Sequence, residues 1–365
     1  MPDTLSSLPL TPRSSREAVA LYSGGLDSTL AIIAVLRQGV KVTAVTFLNH
    51  FGCDISDRSS CSKDPFSAAE KFGFEVKLNH LSEKFIDIVK NPKFGHGKNM
   101  NPCMDCRILM LKEAKAFMEM TGAAFIVTGE VLGQRPMSQR RDALNIIDRE
   151  AGLRGLVLRP LSAKLLKPTA AEESGLINRE LLYDFGGRSR KPQMALAKEF
   201  GLTEYPAPAG GCLLTEPNYS YRLKELFDHD PDPSLLDLRL LRIGRHFRLS
   251  PECKAVVGRD MSENEVLSKL TDDTGIMLRV IGHGSPITIL RGTTGGDEIT
   301  TAASLCARYS DARKLAEAEV KVVAGKEVTR LKVAPATDFI VGALKIEKRP
   351  NDEPLRRTET VERAG

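Results

Sequence analysis

The chain has no run approaching the ~18 apolar residues needed to cross a bilayer, and its first residues, MPDTLSSLPLTPRSSREA, show neither a charged n-region nor an apolar h-region. From these absences neither a transmembrane helix nor a cleaved secretory leader is expected. The expectation is a cytoplasmic protein with no membrane partner and a disordered leader over residues 1–15. No internal repeat is visible, which excludes a solenoid. A strong charge is also missing: the formal net charge is +5, and the total alone names no anionic partner. Cysteine is sparse and odd in number, seven in 365 residues, so no closed disulfide framework is indicated. What is present, 42% hydrophobic and 27% charged residues, suits a folded chain with a substantial interior.

At 365 residues the length suits two domains. Residues 18 to 130 alternate β-branched runs with amphipathic segments, the pattern of βα units in a parallel sheet. Strands are expected at Ala18–Tyr22, Lys41–Phe47, Phe74–Leu78, Ala124–Thr128 and Leu156–Leu158, with helices over Ser28–Arg37, Phe66–Phe72 and Cys106–Met120. The predicted fold class is α/β, a doubly wound parallel sheet whose ligand sits at the carboxyl ends of the strands, followed by a smaller α+β domain. YPAPAGGCLLTEP, from Tyr205 to Pro217, reads as a hinge. The expected division is therefore 16–216 and 217–348, with a disordered tail over 349–365. In the second domain, strands are expected at Ile276–Ile281 and Ile287–Leu290, with Leu315–Val322 or Val328–Val333 as pairing partners.

The first strand runs into Ser23-Gly24-Gly25-Leu26-Asp27-Ser28 and then a helix starting near Thr29. Two glycines let the backbone turn sharply against an anion, while the serine hydroxyls and the amides of a helix N-terminus donate to phosphate. A carboxylate among such donors is suited to holding Mg2+ against the phosphates, so Asp27 is the candidate metal ligand. The string resembles the PP-loop of ATP pyrophosphatases, the adenine nucleotide alpha hydrolase superfamily, a Rossmann-like fold. That resemblance covers residues 16 to 215 and implies cleavage of ATP to AMP and pyrophosphate with adenylation of a carbonyl oxygen. It also implies that Phe47, ending the second strand, contacts adenine, with Thr128 and Gly129 beside the same cleft.

TGEVLGQRPMSQ, Thr128 to Gln139, followed by GLVLRPL at Gly155 to Leu161, resembles the 4-thiouridine synthase branch of tRNA thiolases. Here three residues separate G-Q from S-Q where that branch has two. The resemblance implies that Gly129, Glu130, Gly133, Gln134, Ser138 and Gln139 line the nucleotide or target-uridine cleft. It implies an ATP-dependent tRNA sulfurtransferase, in which adenylation turns a uridine carbonyl oxygen into a leaving group that sulfur replaces. Lys164, Lys167, Arg188 and Lys191 are the cations nearest in sequence for the developing charge.

Cys103 and Cys106 form a C-x-x-C just before a predicted helix, a spacing that in a reducing compartment suggests redox or metal chemistry. A helix N-terminus would be expected to lower their thiol pKa values. Cys212 lies in a glycine loop. The two segments resemble those of the 2-thiouridylase family, and the resemblance leaves two arrangements open. Cys103, Cys106 and Cys212 ligate a 4Fe-4S cluster, or Cys212 bears a persulfide that a C-x-x-C thiol resolves. A sulfur donor is required in either case: a cysteine desulfurase, a sulfur carrier or sulfide. Cys53 and Cys61 are a possible separate pair, and Cys253 and Cys306 read as structural.

Basic residues are unevenly spread. Arg135 to Lys191 holds twelve Lys and Arg against seven Asp and Glu, and GGRSRKPQ within it offers Arg188, Arg190 and Lys191 to RNA phosphates. Arg242 to Leu267 resembles a small NFACT-R type domain, so Arg242, Arg245 and Arg248 are further candidate RNA contacts. Neither a rhodanese-like tail nor a long N-terminal RNA-binding extension is expected, and RNA capture is expected from these stretches. Two rivals share part of the pattern: an amidating or ligating PP-loop enzyme, with no use for three cysteines together, and a noncatalytic RNA-binding module, indifferent to ATP.

Overall fold

The computed structural model describes residues 16–51, 66–206, 212–270 and 275–349. The expected leader, nearly all of the expected tail, and Cys53 and Cys61 lie outside the described residues. The chain divides into two units, one ending at Cys212 and the second beginning at Leu213.

The first unit is built on β1 (Glu17–Leu21), β2 (Lys41–Leu48), β3 (Glu75–His80), β4 (Phe125–Thr128) and β5 (Val157–Leu158), in the order β3-β2-β1-β4-β5. All four pairings are parallel. Its helices are α1 (Leu26–Leu36), α2 (Ser67–Phe72), α3 (Ser82–Lys90), α4 (Cys103–Thr121), α5 (Arg141–Glu150), α6 (Ala170–Glu173) and α7 (Lys191–Glu199). The expected strands and helices are all found, with ends displaced by a few residues. Two displacements matter: α1 begins at Leu26, taking Asp27 and Ser28 into its first turn, and α4 begins at Cys103, taking the C-x-x-C into the helix.

α1 is apolar on nearly every side because it lies between the sheet and α7, and Leu30, Ile32 and Val35 have no exposed surface. Burying each such side chain contributes about 1.5–3 kcal/mol. α3 and α5 were not expected. α5 buries only Ala143, Leu144 and Ile147, a narrow stripe inside a stretch whose charge dominates the sequence pattern.

β1 is central: β2 and β3 lie to one side of it and β4 and β5 to the other. The strand order therefore reverses between β1 and β4, where a doubly wound sheet opens a crevice at its carboxyl edge.

The second unit is an antiparallel sheet ordered β11-β10-β8-β9-β7-β6, from β6 (Arg245–Ser250), β7 (Cys253–Val257), β8 (Ile276–Val280), β9 (Thr288–Gly292), β10 (Ala318–Ala324) and β11 (Glu327–Val333). Its helices are α8 (Pro217–His229), α9 (Leu235–Leu240), α10 (Met261–Leu270), α11 (Gly296–Arg308) and α12 (Asp338–Leu344). The two C-terminal segments considered as alternatives are both strands, β10 pairing with β8 and with β11. α11 supplies Ala302, Ala303, Leu305 and Cys306 to the core, where Cys253 and Cys306 are fully buried.

Candidate active site

The crevice at the β1/β4 switch point holds the glycine turn. Gly24 takes φ +68°, a left-handed conformation that glycine adopts without steric cost. Gly25 is the extended N-cap of α1 and has no capping side chain, so first-turn amides are left for a ligand. The turn is braced from within: Ser28 Oγ donates to Gly25 O at 2.9 Å, Ser23 and Ser28 hydroxyls lie 3.2 Å apart, and Thr29 Oγ1 donates to Gly25 O at 3.0 Å.

β4 ends against this turn. Thr128 is buried, and a Cβ placed on Gly129 would lie 2.5 Å from Ser28 N, a backbone contact only glycine permits. Beyond it, Gln134 Nε2 donates to Asp27 Oδ2 at 3.0 Å. Asp27 Oδ1 and Gln134 Oε1 are both buried and have no hydrogen-bond partner among the described residues. Gly133, with φ +77°, makes the turn that brings Gln134 there, and its amide donates to Gln139 O at 2.7 Å. Ser138 and Gln139 are buried beneath it. Phe47 is buried at the carboxyl end of β2.

Glu130 is placed differently from its neighbours. It is 1% exposed and accepts from Arg159 Nε at 2.9 Å and from Thr128 Oγ1 at 3.1 Å, with Arg107 Nε at 3.4 Å. Arg159 also donates twice to Asp148, at 2.9 and 2.7 Å. Burial alone would raise the Glu130 pKa, but Arg159 and Arg107 outweigh it and hold the carboxyl below its ordinary value. For Asp148 burial prevails over Arg159 and the pKa is raised. This network ties α4, α5, β5 and the end of β4 together. No periodicity or spacing links Arg107, Glu130, Asp148 and Arg159, and only the T-G-E and R-P-L strings hinted at two of them.

The thiols lie at the same edge of the sheet. α4 leads into β4, so its N-terminus, with Cys103 and Cys106, must lie toward the carboxyl ends of the strands. Cys212 Sγ approaches Phe51 O, just beyond β2, at 3.6 Å. Cys106 feels both other thiols: its pKa is pushed up to about 12, chiefly by burial, with Cys212 and Cys103 adding and Arg107 opposing. Burial likewise raises the Cys103 pKa against Arg107 and Arg135. The expected lowering by the helix terminus is therefore overturned, because desolvation of the thiolate outweighs the end of the helix. Among the described residues, no three of His, Cys, Asp and Glu are arranged to hold a metal ion, so no preformed cage for an iron-sulfur cluster is present.

Of the candidate RNA contacts, Arg188 and Lys191 are exposed at the start of α7. They follow Gly186 and Gly187, which are bridged to Leu132, with Gly187 N donating to Leu132 O at 2.7 Å. Arg190 Nε is buried and unpartnered among the described residues. Lys164 is engaged by Glu180. In the second unit Arg248 pairs with Glu225 at 2.6 Å, and Arg245 donates to Gly258 O at 3.1 Å and stacks 4.5 Å over Tyr309. Arg242 is half-buried.

A glycine turn opening a helix at the switch point of a parallel sheet, with an acidic side chain in its first turn, resembles the arrangement of PP-loop domains. Within that class, residues 13–165 match the family described as "Thiamine biosynthesis protein (ThiI)", and residues 244–341 match the "NFACT protein RNA binding domain". A "Probable tRNA sulfurtransferase" of Lysinibacillus sphaericus is 32% identical over 166 residues, 44% of this chain and 39% of that one. A "tRNA-specific 2-thiouridylase MnmA" of Methylobacterium nodulans is 26% identical over 256 residues, 66% of this chain and 63% of that one. A solved 4-thiouridine synthetase–RNA complex with bound ATP aligns over 51% of each chain, at 21% identity and a TM-score of 0.33. The chain thus spans less than two thirds of the length of these relatives. Among the described residues no helix is long and apolar enough to cross a membrane.

Proposed function

We propose that the chain is an ATP-dependent tRNA sulfurtransferase, adenylating a uridine carbonyl and replacing its oxygen with sulfur. The observation that carries this reading is the meeting, at one sheet edge, of an uncapped glycine turn bearing Asp27 and a set of three thiols. An amidating enzyme has no use for the second, and an RNA-binding module has none for the first.

Amides of the α1 first turn and the Ser23 and Ser28 hydroxyls suit the phosphates of ATP, and Phe47 stands where adenine is expected. Mg2+ fits the donor set: Asp27 Oδ1 is a buried carboxylate oxygen without a partner, the hard ligand this cation takes. Bound there, Mg2+ would neutralise the pyrophosphate as it leaves. The uridine oxygen attacks the α-phosphorus, pyrophosphate departs, and the carbon is left bearing a phosphate ester.

The sulfur step follows from the thiols. The relay needs only Cys212 and one C-x-x-C thiol, and it is the simpler of the two arrangements for these thiols. Cys212, carrying a persulfide from an external sulfur donor, attacks the activated carbon with its outer sulfur, and AMP leaves. A C-x-x-C thiol then gives up its proton and attacks the inner sulfur, a deprotonation that Arg107 assists against the burial that raises both thiol pKa values. That releases the thiocarbonyl and leaves a disulfide, which a cellular dithiol must reduce. RNA is supported by the NFACT-type segment and by the exposed Arg188 and Lys191.

The test is to incubate the purified protein with ATP, tRNA and a persulfide donor, following pyrophosphate release and the nucleosides by mass spectrometry. Expected are tRNA-stimulated pyrophosphate and one thiouridine per tRNA. Pyrophosphate without sulfur incorporation would point to the amidating class, and neither product would sink the reading.

A further inference from the structure

The pairing of Gln134 with Asp27 gives the loop after β4 a role separate from contact with nucleotide. Gln134 Nε2 donates to Asp27 Oδ2 across 107 residues of sequence, joining the end of β4 to the first turn of α1. The orientation of the amide follows from its partner: reversed, Gln134 Oε1 would face a carboxylate oxygen, and two acceptors cannot bond. One carboxylate oxygen is thereby engaged and the other, Oδ1, is left buried and without a partner. Ordinarily such an atom is costly, of order 1–3 kcal/mol or more for a charged group, and beside an uncapped helix N-terminus a bound cation would offset that cost.

The loop carrying Gln134 is itself fixed. Gly133 N donates to Gln139 O, Gln134 N to Val131 O at 3.1 Å, and Leu132 N to Ser162 Oγ at 2.9 Å. Ser162 in turn donates to Phe185 O at 2.6 Å, and Gly187 N closes on Leu132 O. The backbone at Gln134 is therefore pinned, and its side chain reaches Asp27 from a fixed position.

We infer that Gln134 is a positioning residue that holds the Asp27 carboxylate with Oδ1 free for a divalent cation, so that it sets affinity for Mg2+ rather than for the nucleotide itself. The inference rests on the proposed ATP site and sharpens it. Without the amide, the Asp27 carboxylate rotates, and ordering it is added to the cost of binding the cation.

The experiment titrates Mg2+ against the full-length protein, reading binding of α,β-methylene-ATP, which cannot be cleaved at the bond a PP-loop enzyme breaks. Gln134→Ala should raise the Mg2+ concentration for half-maximal binding about tenfold, the loss expected for one hydrogen bond to a charged group. Nucleotide binding in EDTA should be unchanged, and Gln134→Asn, which keeps the amide, should recover part of the loss. With Asp27→Ala already present, adding Gln134→Ala should cost nothing more, because the two act as a unit. An equal loss in EDTA would make Gln134 a direct nucleotide contact and overturn the inference. So would unchanged Mg2+ dependence in both Gln134 variants while the wild type still binds, which leaves the ATP site standing. A wild type that binds no nucleotide at all would sink the inference and the proposed function together.

Discussion

At the carboxyl edge of the parallel sheet, Asp27 Oδ1 and Gln134 Oε1 are left without partners and α1 without a cap, whereas in the second unit a row of charged side chains is paired, with Arg222 Nε and Glu225 Oε2 still unpartnered among the described residues. Arg248, Lys254 and Arg291 stand in register across β6, β7 and β9, and α8 and α9 answer with Glu225 on Arg248 and Asp237 on Arg291. Lys254 is 6% exposed, and burial lowers its pKa to about 8. Both regions are polar and partly buried, yet in the second the ion pairs join helices to a sheet, whereas at the sheet edge the Asp27–Gln134 pair leaves one oxygen on each side chain unengaged. What distinguishes the sheet edge is where its unpartnered atoms lie, beside an uncapped helix N-terminus, since the second unit has unpartnered atoms too.

The comparison breaks first at Glu130, which lies just past β4 beside Gly129 but behaves like the second unit. Glu130→Ala should leave Arg159 buried with half of its partners and destabilise the fold by about 3–5 kcal/mol, read as a fall in the denaturant midpoint. If stability holds and only nucleotide binding falls, Glu130 lines the cleft as the sequence suggested. Asp27→Ala is the opposite case. Little of the fold depends on it, and it should reduce pyrophosphate release by about 100- to 1,000-fold with an unchanged melting temperature. Full pyrophosphate release in that variant would remove the nucleotide site from Asp27.

These two residues also show what could be read in advance. The turn at SGGLDS was legible because it is built locally, with glycines at the bend and the Ser28 and Thr29 hydroxyls donating back to Gly25 O. The parallel sheet was legible from its β-branched runs, and the antiparallel one in part, from the runs around the HGSP turn. The partners of a charge were not. Glu130 finds Arg159 29 residues away and Arg248 finds Glu225 23 residues away, and pairing at that distance is settled only by the packing of whole elements. The thiols were misjudged for a related reason: the end of α4 is visible in sequence, whereas the burial that outweighs it is not.

A sharper form of the comparison asks which arginines meet RNA. Arg248→Ala strands Glu225, half of a partly buried pair, and should destabilise the second unit by about 1–3 kcal/mol. Arg188→Ala with Lys191→Ala should leave melting unchanged and weaken tRNA binding, lowering the slope of log affinity against log salt by about one for each phosphate that is no longer neutralised. If Arg248→Ala instead lowers the salt slope without moving the melting temperature, its pair with Glu225 yields to RNA and the second unit is the docking face.

The smallest effect tests whether the second unit's closed charges shape its response to pH. His246 in β6 is fully buried, with Nε2 2.8 Å from Ile243 O and Nδ1 unpartnered among the described residues. Burial, with Lys254 and Arg222 nearby, lowers its pKa well below 6.5. The folded protein therefore keeps the ring neutral while the unfolded chain takes up a proton as pH falls through about 6.5, so the stability His246 contributes is present above that pH and lost below it. The slope from this one group approaches about 1.4 kcal/mol per pH unit. His246→Gln, which keeps an N–H to offer Ile243 O, should flatten the fall in the second unit's melting temperature between roughly pH 6.5 and 5, while the first unit's transition is unchanged. An identical slope in the variant would mean that another buried group governs the acid response, with Lys254 excluded because it titrates near 8.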